Sequence, residues 1–551
     1  MSIVLDRQSG RGWPRLWVVI FALLSFARPL AAAEPAQADA DAAFEEAVQA
    51  LNARSFDLKL EAASHLATFS HPQAAVILER LLAGKLYAKR RGGEVVFAEK
   101  VSGGFELTHP ISGELAGKVK RRGVKKVSVN NRLRRALRGL IAGLRLDAPE
   151  SAARLKAIED IVATGNPGMR SLLEQRREIE PNAEVRRALV SAMIVFDLDA
   201  EDAGARLAAI KASSVNLSRQ VRQKLTAISG RETEEAELRA AATESLDAIE
   251  RLASRYEMIE MLFFGLSLGS ILVLAAIGLS ITFGVMGVIN MAHGELIMIG
   301  AYTTYVVQLL MPDALEYSIL VSIPAAFVVA GLTGIAIERS IIRFLYGRPL
   351  ETLLATFGVS LVLQQTVRTV FSPLNRSVVT PEWMSGSLTI AQGLSITYNR
   401  LYILIFSVMV FVALVMVLRG TRLGLEVRAV TQNRDMARAM GINCTRVDVL
   451  TFGLGAGIAG VAGVALSQLT NVGPNLGQGY IVDSFMVVVF GGVGNLWGTL
   501  VAGLSLGIVN KVLEPVAGAV VAKILVLVFI ILFIQKRPRG LFPQKGRAAE
   551  N

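Results

Sequence analysis

RGTRLGLEVRAVTQNRDMARAMGINCTRV, residues 419–447, is a polar, arginine-rich stretch set between two long apolar runs. Apolar runs of about twenty residues read as membrane-spanning helices, so the stretch is a loop at one face of a bilayer. Arg419, Arg422, Arg428, Arg434, Arg438 and Arg446 all lie in it. Basic residues concentrate in short loops on the cytoplasmic side, which assigns the loop to the cytosol. Within it, 429–440 carries the helix formers Met436, Ala437, Arg438, Ala439 and Met440 and stops at Gly441, with Asn443 just behind. That pattern predicts one short surface helix closed by a glycine cap.

Outward from this loop, the chain of 551 residues is 52% hydrophobic with a mean hydropathy of +0.47. It is too apolar for a soluble protein and long enough for more than one domain. Apolar runs fall at 261–283, 296–310, 317–337, 353–371, 401–418, 449–469, 481–490, 500–512 and 522–534. Several are short and interrupted by glycine, so seven to nine spans fit, some of them broken. With residue 256 outside, the third pass delivers Glu338, Arg339, Arg343 and Arg348 to the inside, 372–400 lies outside with only Arg376 and Arg400, and 419–447 is inside again. The basic tail Lys536-Arg537-Pro538-Arg539 is also expected inside, which requires an odd number of passes.

The N-terminal part has a different character. Arg7, Arg11 and Arg15 precede an apolar stretch at 16–27 and then Ala31-Ala32-Ala33, the layout of a secretory signal peptide cleaved after Ala33. Export would place the following residues, to about 255, in the periplasm. The single cysteine, Cys444, lies in the cytosolic loop, so no intramolecular disulfide can form and the exported part needs its own core. Its pattern is alanine-rich and amphipathic with helical spacing. Residues 61–66 leading through His71-Pro72 to 76–79 resemble 156–161 leading through Asn166-Pro167 to 171–174, and 184–196 with 200–212 continue the theme. Stacked helical hairpins of the HEAT type and a non-repetitive helical domain both satisfy this. The helix 234–260 is expected to run directly into the membrane.

An insertion at 84–138 breaks the helical pattern, with 94–99 and 105–109 as strand candidates, and it carries fifteen Lys plus Arg against four Asp plus Glu. Export and the absence of interleaved aromatics argue against nucleic acid. Anionic lipid headgroups, an acidic face of another subunit and plain solvation remain open for it.

Two polar interruptions stand out in the membrane half. Asn290-Met291-Ala292-His293-Gly294-Glu295 separates two apolar helices, and Gly491-Gly492-Val493-Gly494-Asn495-Leu496-Trp497-Gly498 lies near the C-terminus. Non-helical backbone at membrane depth survives only when buried in protein or lining a cavity, and paired broken segments point to a translocation route. A short cytoplasmic turn would also account for the first. Gly455, Gly457 and Gly460 satisfy G-x-G-x-x-G, but inside an apolar span with no preceding strand they serve close helix packing rather than a nucleotide. There is no phosphate-binding G-x-x-x-x-G-K-[ST] loop, no catalytic triad and no metal-ligand cluster, and only His65, His71, His109 and His293 occur. An enzyme is therefore not expected.

Residues 282–295 (TFGVMGVINMAHGE), Phe357-Gly358-Val359-Ser360-Leu361, Phe490-Gly491-Gly492-Val493-Gly494 and Arg537-Pro538-Arg539-Gly540-Leu541-Phe542 together resemble permeases of branched-chain amino acid ABC importers, over about 258–545. The N-terminal extension, 363–368 (LQQTVR) and 381–384 (PEWM) are similar to the urea-transport branch of that family. Asp435-Met436-Ala437 followed by Gly441 resembles the Glu-Ala-Ala-x-x-x-Gly loop with which such permeases dock on their ATPases, with Asp in place of Glu and Met in place of the first Ala. The resemblance implies an all-α polytopic membrane bundle in which 1–33 is a signal peptide, 34–256 an exported helical domain and 257–545 the permease domain. It also implies a bacterial inner-membrane location, a second permease subunit, two cytosolic ATPases that consume ATP, and a periplasmic binding protein, with no cofactor bound by this chain. Arg428, Asp435, Met436, Ala437 and Gly441 are the expected coupling residues. For urea, a small neutral solute with four N–H donors and one carbonyl acceptor, a route needs amides and acceptors more than fixed charge. Asn290, Gln364, Gln365 and Asn495, supported by His293 and Glu295, are the candidates for it. A branched-chain or polar amino acid is the alternative cargo; a membrane sensor and a passive channel are the readings from other classes.

Overall fold

The computed structural model describes residues 34–542 apart from 70, 102 and 103, so the expected signal peptide and the last residues of the expected permease domain lie outside the described residues. The chain divides into two compact units, Met1–Leu246 and Asp247–Asn551.

In the first unit, α1 (Glu34–Ala50), α2 (Phe56–Leu66) and α3 (Gln73–Leu82) precede a five-stranded antiparallel sheet, and α4 (Asn131–Arg145), α5 (Ser151–Thr164), α6 (Arg170–Ile179), α7 (Ala183–Asp197), α8 (Ala203–Ala212) and α9 (Arg219–Ser229) follow it. Polar side chains start several of these helices by accepting otherwise orphaned backbone N–H groups: Ser55 for α2, Asn130 for α4, Asn182 for α7 and Asp202 for α8. Leu51, Leu66, Ile77, Leu81, Leu86 and Leu137 close the core between the first helices and one sheet face. The three expected helix pairs correspond to α2/α3, α5/α6 and α7/α8.

The basic insertion is a sheet of β1 (Leu86–Lys89), β2 (Val95–Val101), β3 (Gly104–Thr108), β4 (Leu115–Val119) and β5 (Val124–Lys126), in the order β4-β3-β2-β1-β5. The strands expected at 94–99 and 105–109 are β2 and β3. The other three are short, and their lysines and glycines gave no alternation to read.

Between α5 and α7, Glu180 is buried and accepts hydrogen bonds from Arg154 (3.0 Å), Arg176 (3.2 Å) and the Asn182 N–H (3.0 Å). Burial alone would raise its pKa; these bonds outweigh burial and hold the carboxyl below its ordinary range.

The second unit is a membrane bundle. A 51-residue helix, α10 (Ala236–Met286), supplies its first span. Then come α11 (His293–Leu310), α12 (Leu315–Ser340), α13 (Pro349–Phe371), α14 (Tyr398–Gly420), α15 (Arg422–Gln432), α16 (Arg434–Ala439), α17 (Cys444–Ser467), α18 (Leu476–Gly491), α19 (Leu496–Ala517) and α20 (Ala519–Lys536). A hairpin of β6 (Ser387–Ala391) and β7 (Leu394–Thr397) lies between α13 and α14. Seven of the helices are long and apolar enough to cross a membrane, and the other two expected passes are the shorter or more polar α11 and α18.

α17 is the buried axis, packed against α11 and α12. Its glycines make this possible. A Cβ on Gly455 would meet the Gly278 carbonyl, one on Gly457 the Phe327 ring, and one on Gly460 the Ala326 carbonyl. These positions are close-packing sites, as the absence of a preceding strand implied.

Replacing Glu180 by Ala should destabilise the first unit by about 3–5 kcal/mol, because Arg154 is left as an unpaired buried charge. A depressed carboxyl stabilises above its unfolded pKa and loses that contribution as pH falls through the folded value. In thermal unfolding of the full-length protein, the gap between wild type and Glu180→Gln should therefore be complete at neutral pH and narrow below about pH 4.

Candidate translocation site

The break between α10 and α11 is short, and its backbone is satisfied by protein. The Met291 N–H donates to Thr356 Oγ1 (3.1 Å), and Asn290 Oδ1 accepts from the Ala292 N–H (3.0 Å). His293 Nε2 lies 2.8 Å from the Ala275 carbonyl, which can only accept, so Nε2 carries the proton. Glu295, in the first turn of α11, accepts from Ser360 Oγ through Oε1 (3.0 Å). Ser360 is the middle residue of the α13 span, so the Glu295 carboxyl sits near half its depth.

Thr352, Thr356, Ser360, Gln364 and Arg368 recur every four residues, a polar stripe winding along α13. The first four are buried. Gln364 Nε2 donates to the Pro474 carbonyl (3.3 Å) and to Asn475 Oδ1 (3.2 Å), and Arg368 Nη2 donates to the same Asn475 oxygen (2.7 Å). The 289–291 break, Glu295 and Gln364 thus belong to one polar seam in which α13 faces both α11 and the segment before α18, whereas His293 turns to α10 at Ala275.

Gln365 points away from this seam and is exposed, because one residue turns a helix by about 100°. Asn495 belongs elsewhere as well. It caps α19 through Oδ1 (Gly498 N–H, 3.1 Å), and its Nδ2 donates to the Phe542 carbonyl (3.2 Å). The segment that meets the start of α11 is 468–477, while the 491–498 interruption packs through Gly494 on Gly284, near the end of α10. A Cβ on Gly294 would overlap the Gly477 carbonyl, and one on Gly477 the Gly294 carbonyl, so α11 and α18 cross at their first turns. Thr356, Ser360 and Asn475 were missed; the four-residue recurrence on α13 and the run Asn471-Val472-Gly473-Pro474-Asn475 were the available signals.

The 491–498 interruption has a different partner. The Leu541 and Phe542 N–H groups donate to the Phe490 (2.9 Å) and Gly491 (3.1 Å) carbonyls, so the Arg537–Phe542 motif latches the Phe490–Gly494 motif in place. Gly492, at φ +105°, lies against Phe542 where no side chain fits. Asn495 and Trp497, together with Arg419, Arg428 and Gln432, line a cavity of about 620 Å³ at the end of the bundle bearing the arginine-rich loop.

That loop holds two helices in place of the single one expected over 429–440. Asn433 breaks the chain and caps α16 by accepting from the Met436 N–H (2.9 Å). Arg434 grips Asp448 in the first turn of α17 with both guanidinium ends and lies 4.0 Å from the centroid of the Tyr346 ring. Although burial opposes it, the Asp448 contact holds the Arg434 pKa above its ordinary value. Ala437 is buried, Asp435, Met436, Arg438 and Met440 face out, and Gly441, at φ +87°, ends the element. Arg428 is placed apart from this face: it donates to the Leu418 carbonyl (2.5 Å).

A multi-pass helical bundle with broken helices, a buried polar seam and an outward-facing, ion-pair-anchored loop defines a transport permease. The family described as branched-chain amino acid transport system / permease component matches residues 261–534, and this chain belongs to it. It is 30% identical over 296 residues to the high-affinity branched-chain amino acid transport system permease protein BraD of Pseudomonas aeruginosa, covering 52% of this chain and 96% of that protein. It is 31% identical over 293 residues to the corresponding permease LivH of Escherichia coli, covering 51% and 94%, and 26% identical over 298 residues to the ribose import permease protein RbsC of Escherichia coli, covering 52% and 87%. By their names these relatives are permease proteins of transport and import systems.

Gly477→Val should drive α11 and α18 apart, cost about 1–3 kcal/mol by overpacking and suppress uptake. Gly479→Ala, where a Cβ meets nothing within 4 Å, should leave both stability and uptake intact. Melting temperature and transport of the two variants, compared side by side, check this.

Proposed function

We propose that this chain is the membrane-spanning permease subunit of an ATP-driven importer whose cargo is an amino acid, branched-chain or polar. The observation that carries this reading is the buried seam of α13 with α11 and the 468–477 segment, within a bundle of the branched-chain amino acid permease family. The family relatives named above carry branched-chain amino acids or ribose in their names, and urea, the cargo expected from 363–368, 381–384 and the N-terminal extension, finds no support among them.

In this reading a second permease completes the pathway, two cytosolic ATPases supply the energy, and a binding protein delivers the cargo. The 419–447 loop faces the cytosol, and the unit formed by 34–256 is periplasmic, with lipid around the bundle. α16 receives the ATPase stroke on Asp435, Met436 and Met440. The Arg434–Asp448 pair passes it to α17, because a bidentate guanidinium–carboxylate contact resists both sliding and rotation. α17 packs along α11, so its displacement bears on the crossing of α11 and α18.

Replacing Asp435 by Ala together with Gly441 by Val should abolish uptake while membrane insertion persists; unaltered uptake rejects the docking role. Cells carrying the complete importer should accumulate labelled leucine in preference to labelled urea. Urea uptake without leucine uptake would restore the urea assignment.

A further inference from the structure

Glu295 and Arg368 are two ionisable side chains in the membrane half, and neither has an ion-pair partner within 4 Å among the described residues. Arg368 is held by a neutral oxygen, Asn475 Oδ1, and Glu295 by a neutral hydroxyl, Ser360 Oγ. Around Glu295, Asn290 Nδ2, His293 Nδ1 and Glu295 Oε2 are buried without a hydrogen-bond partner among the described residues. Three unpartnered polar atoms within six residues are costly in a bundle interior, where each forgoes about 1–3 kcal/mol of hydrogen bonding. Two of them, His293 Nδ1 and Glu295 Oε2, are acceptors.

Resting on the amino-acid reading above, we propose that this seam is a binding station for a zwitterion: Glu295 receives the α-ammonium group, and Arg368 with Gln364 receives the α-carboxylate. Ser360, which marks the level of Glu295, and Arg368 are eight residues apart, about 12 Å along the helix axis. Two charge-assisted hydrogen bonds of about 2.8 Å each and one amino-acid head group cover most of that interval, and the long Arg368 side chain, which leans back toward the start of α13, covers the rest. An ammonium donates to the orphaned Glu295 Oε2 and neutralises the carboxylate. A carboxylate accepts the planar fork of Arg368 in place of Asn475. A neutral solute such as urea does neither, since it compensates no charge at either end. The side chain of the amino acid is left to the apolar walls, so the station selects the head group and tolerates different side chains.

Full-length protein in nanodiscs, titrated with L-leucine, L-leucinamide (no carboxylate), 4-methylpentanoate (no ammonium) and urea while its melting temperature is followed, tests the assignment. Leucine should stabilise the wild type and urea should not. Arg368→Gln should weaken the leucine response by about tenfold or more, the loss of one charge-assisted hydrogen bond, and leave leucinamide unchanged. Glu295→Gln should weaken leucine and leucinamide and leave 4-methylpentanoate unchanged; should it fail to fold, Glu295→Asp is expected to shift the same two ligands and spare the third. Equal weakening of all three leucine analogues, no weakening of any, or no leucine response in the wild type overturns the station. If cells with the whole importer nevertheless accumulate leucine, only the station falls; if they accumulate urea and not leucine, the amino-acid reading falls with it.

Discussion

Gly294 and Gly477 touch backbone to backbone, and the architecture of the membrane half follows from the need for that contact. Two chain breaks, 287–292 and 468–475, expose backbone polar groups inside an apolar bundle, and hydrocarbon offers them no partner. They are satisfied only by meeting protein: Met291 at Thr356, the Pro474 carbonyl at Gln364, Arg376 and Val472 through a mutual pair of backbone bonds at 2.7 and 2.8 Å. Glycine at the crossing lets α11 and α18 approach closely enough for these contacts to form. The glycines of α17 serve the same end, because a bulkier axis would hold α11 and α12 too far out.

The bundle's other end is organised around one short, ion-pair-anchored helix. α16 is too short to be stable alone. Its position comes from Asn433, from buried Ala437 and above all from Arg434, fixed between Asp448 and the Tyr346 ring. The element is anchored to α17 on one side and presents Asp435, Met436 and Met440 on the other. The Arg537–Phe542 segment latches the α18–α19 turn in a comparable way, through its backbone bonds to Phe490 and Gly491.

Much of this was legible in the residues alone. All nine apolar runs fall on helices, since about twenty apolar residues in succession have few other folds available. Asn290, His293, Glu295 and Gln364 stood out as polar residues in apolar context. The contact between 294 and 477 was not legible, because Gly-Pro-Asn reads as an ordinary surface loop unless its burial is known. Gln365 was grouped with Gln364 by adjacency, which a helix converts into separation. Asn433 is an N-cap signal inside a run of helix formers, and the propensity of its neighbours masked the break. β1, β4 and β5 carry lysines and glycines on short strands whose stability comes from their neighbours, so local pattern was silent.

Cysteine accessibility along α13 tests the central claim most directly. In a Cys444→Ala background free of other cysteines, single cysteines at Thr352, Thr356, Ser360 and Gln364 should react with a charged, water-soluble thiol reagent, at rates that change when ATP is supplied to the assembled importer. Cysteines at the outward-facing Leu354, Val362 and Val370 should stay unreactive. Silence of the four seam positions in every nucleotide state, or equal reactivity on both faces of the helix, would contradict a polar route between α13, α11 and the start of α18.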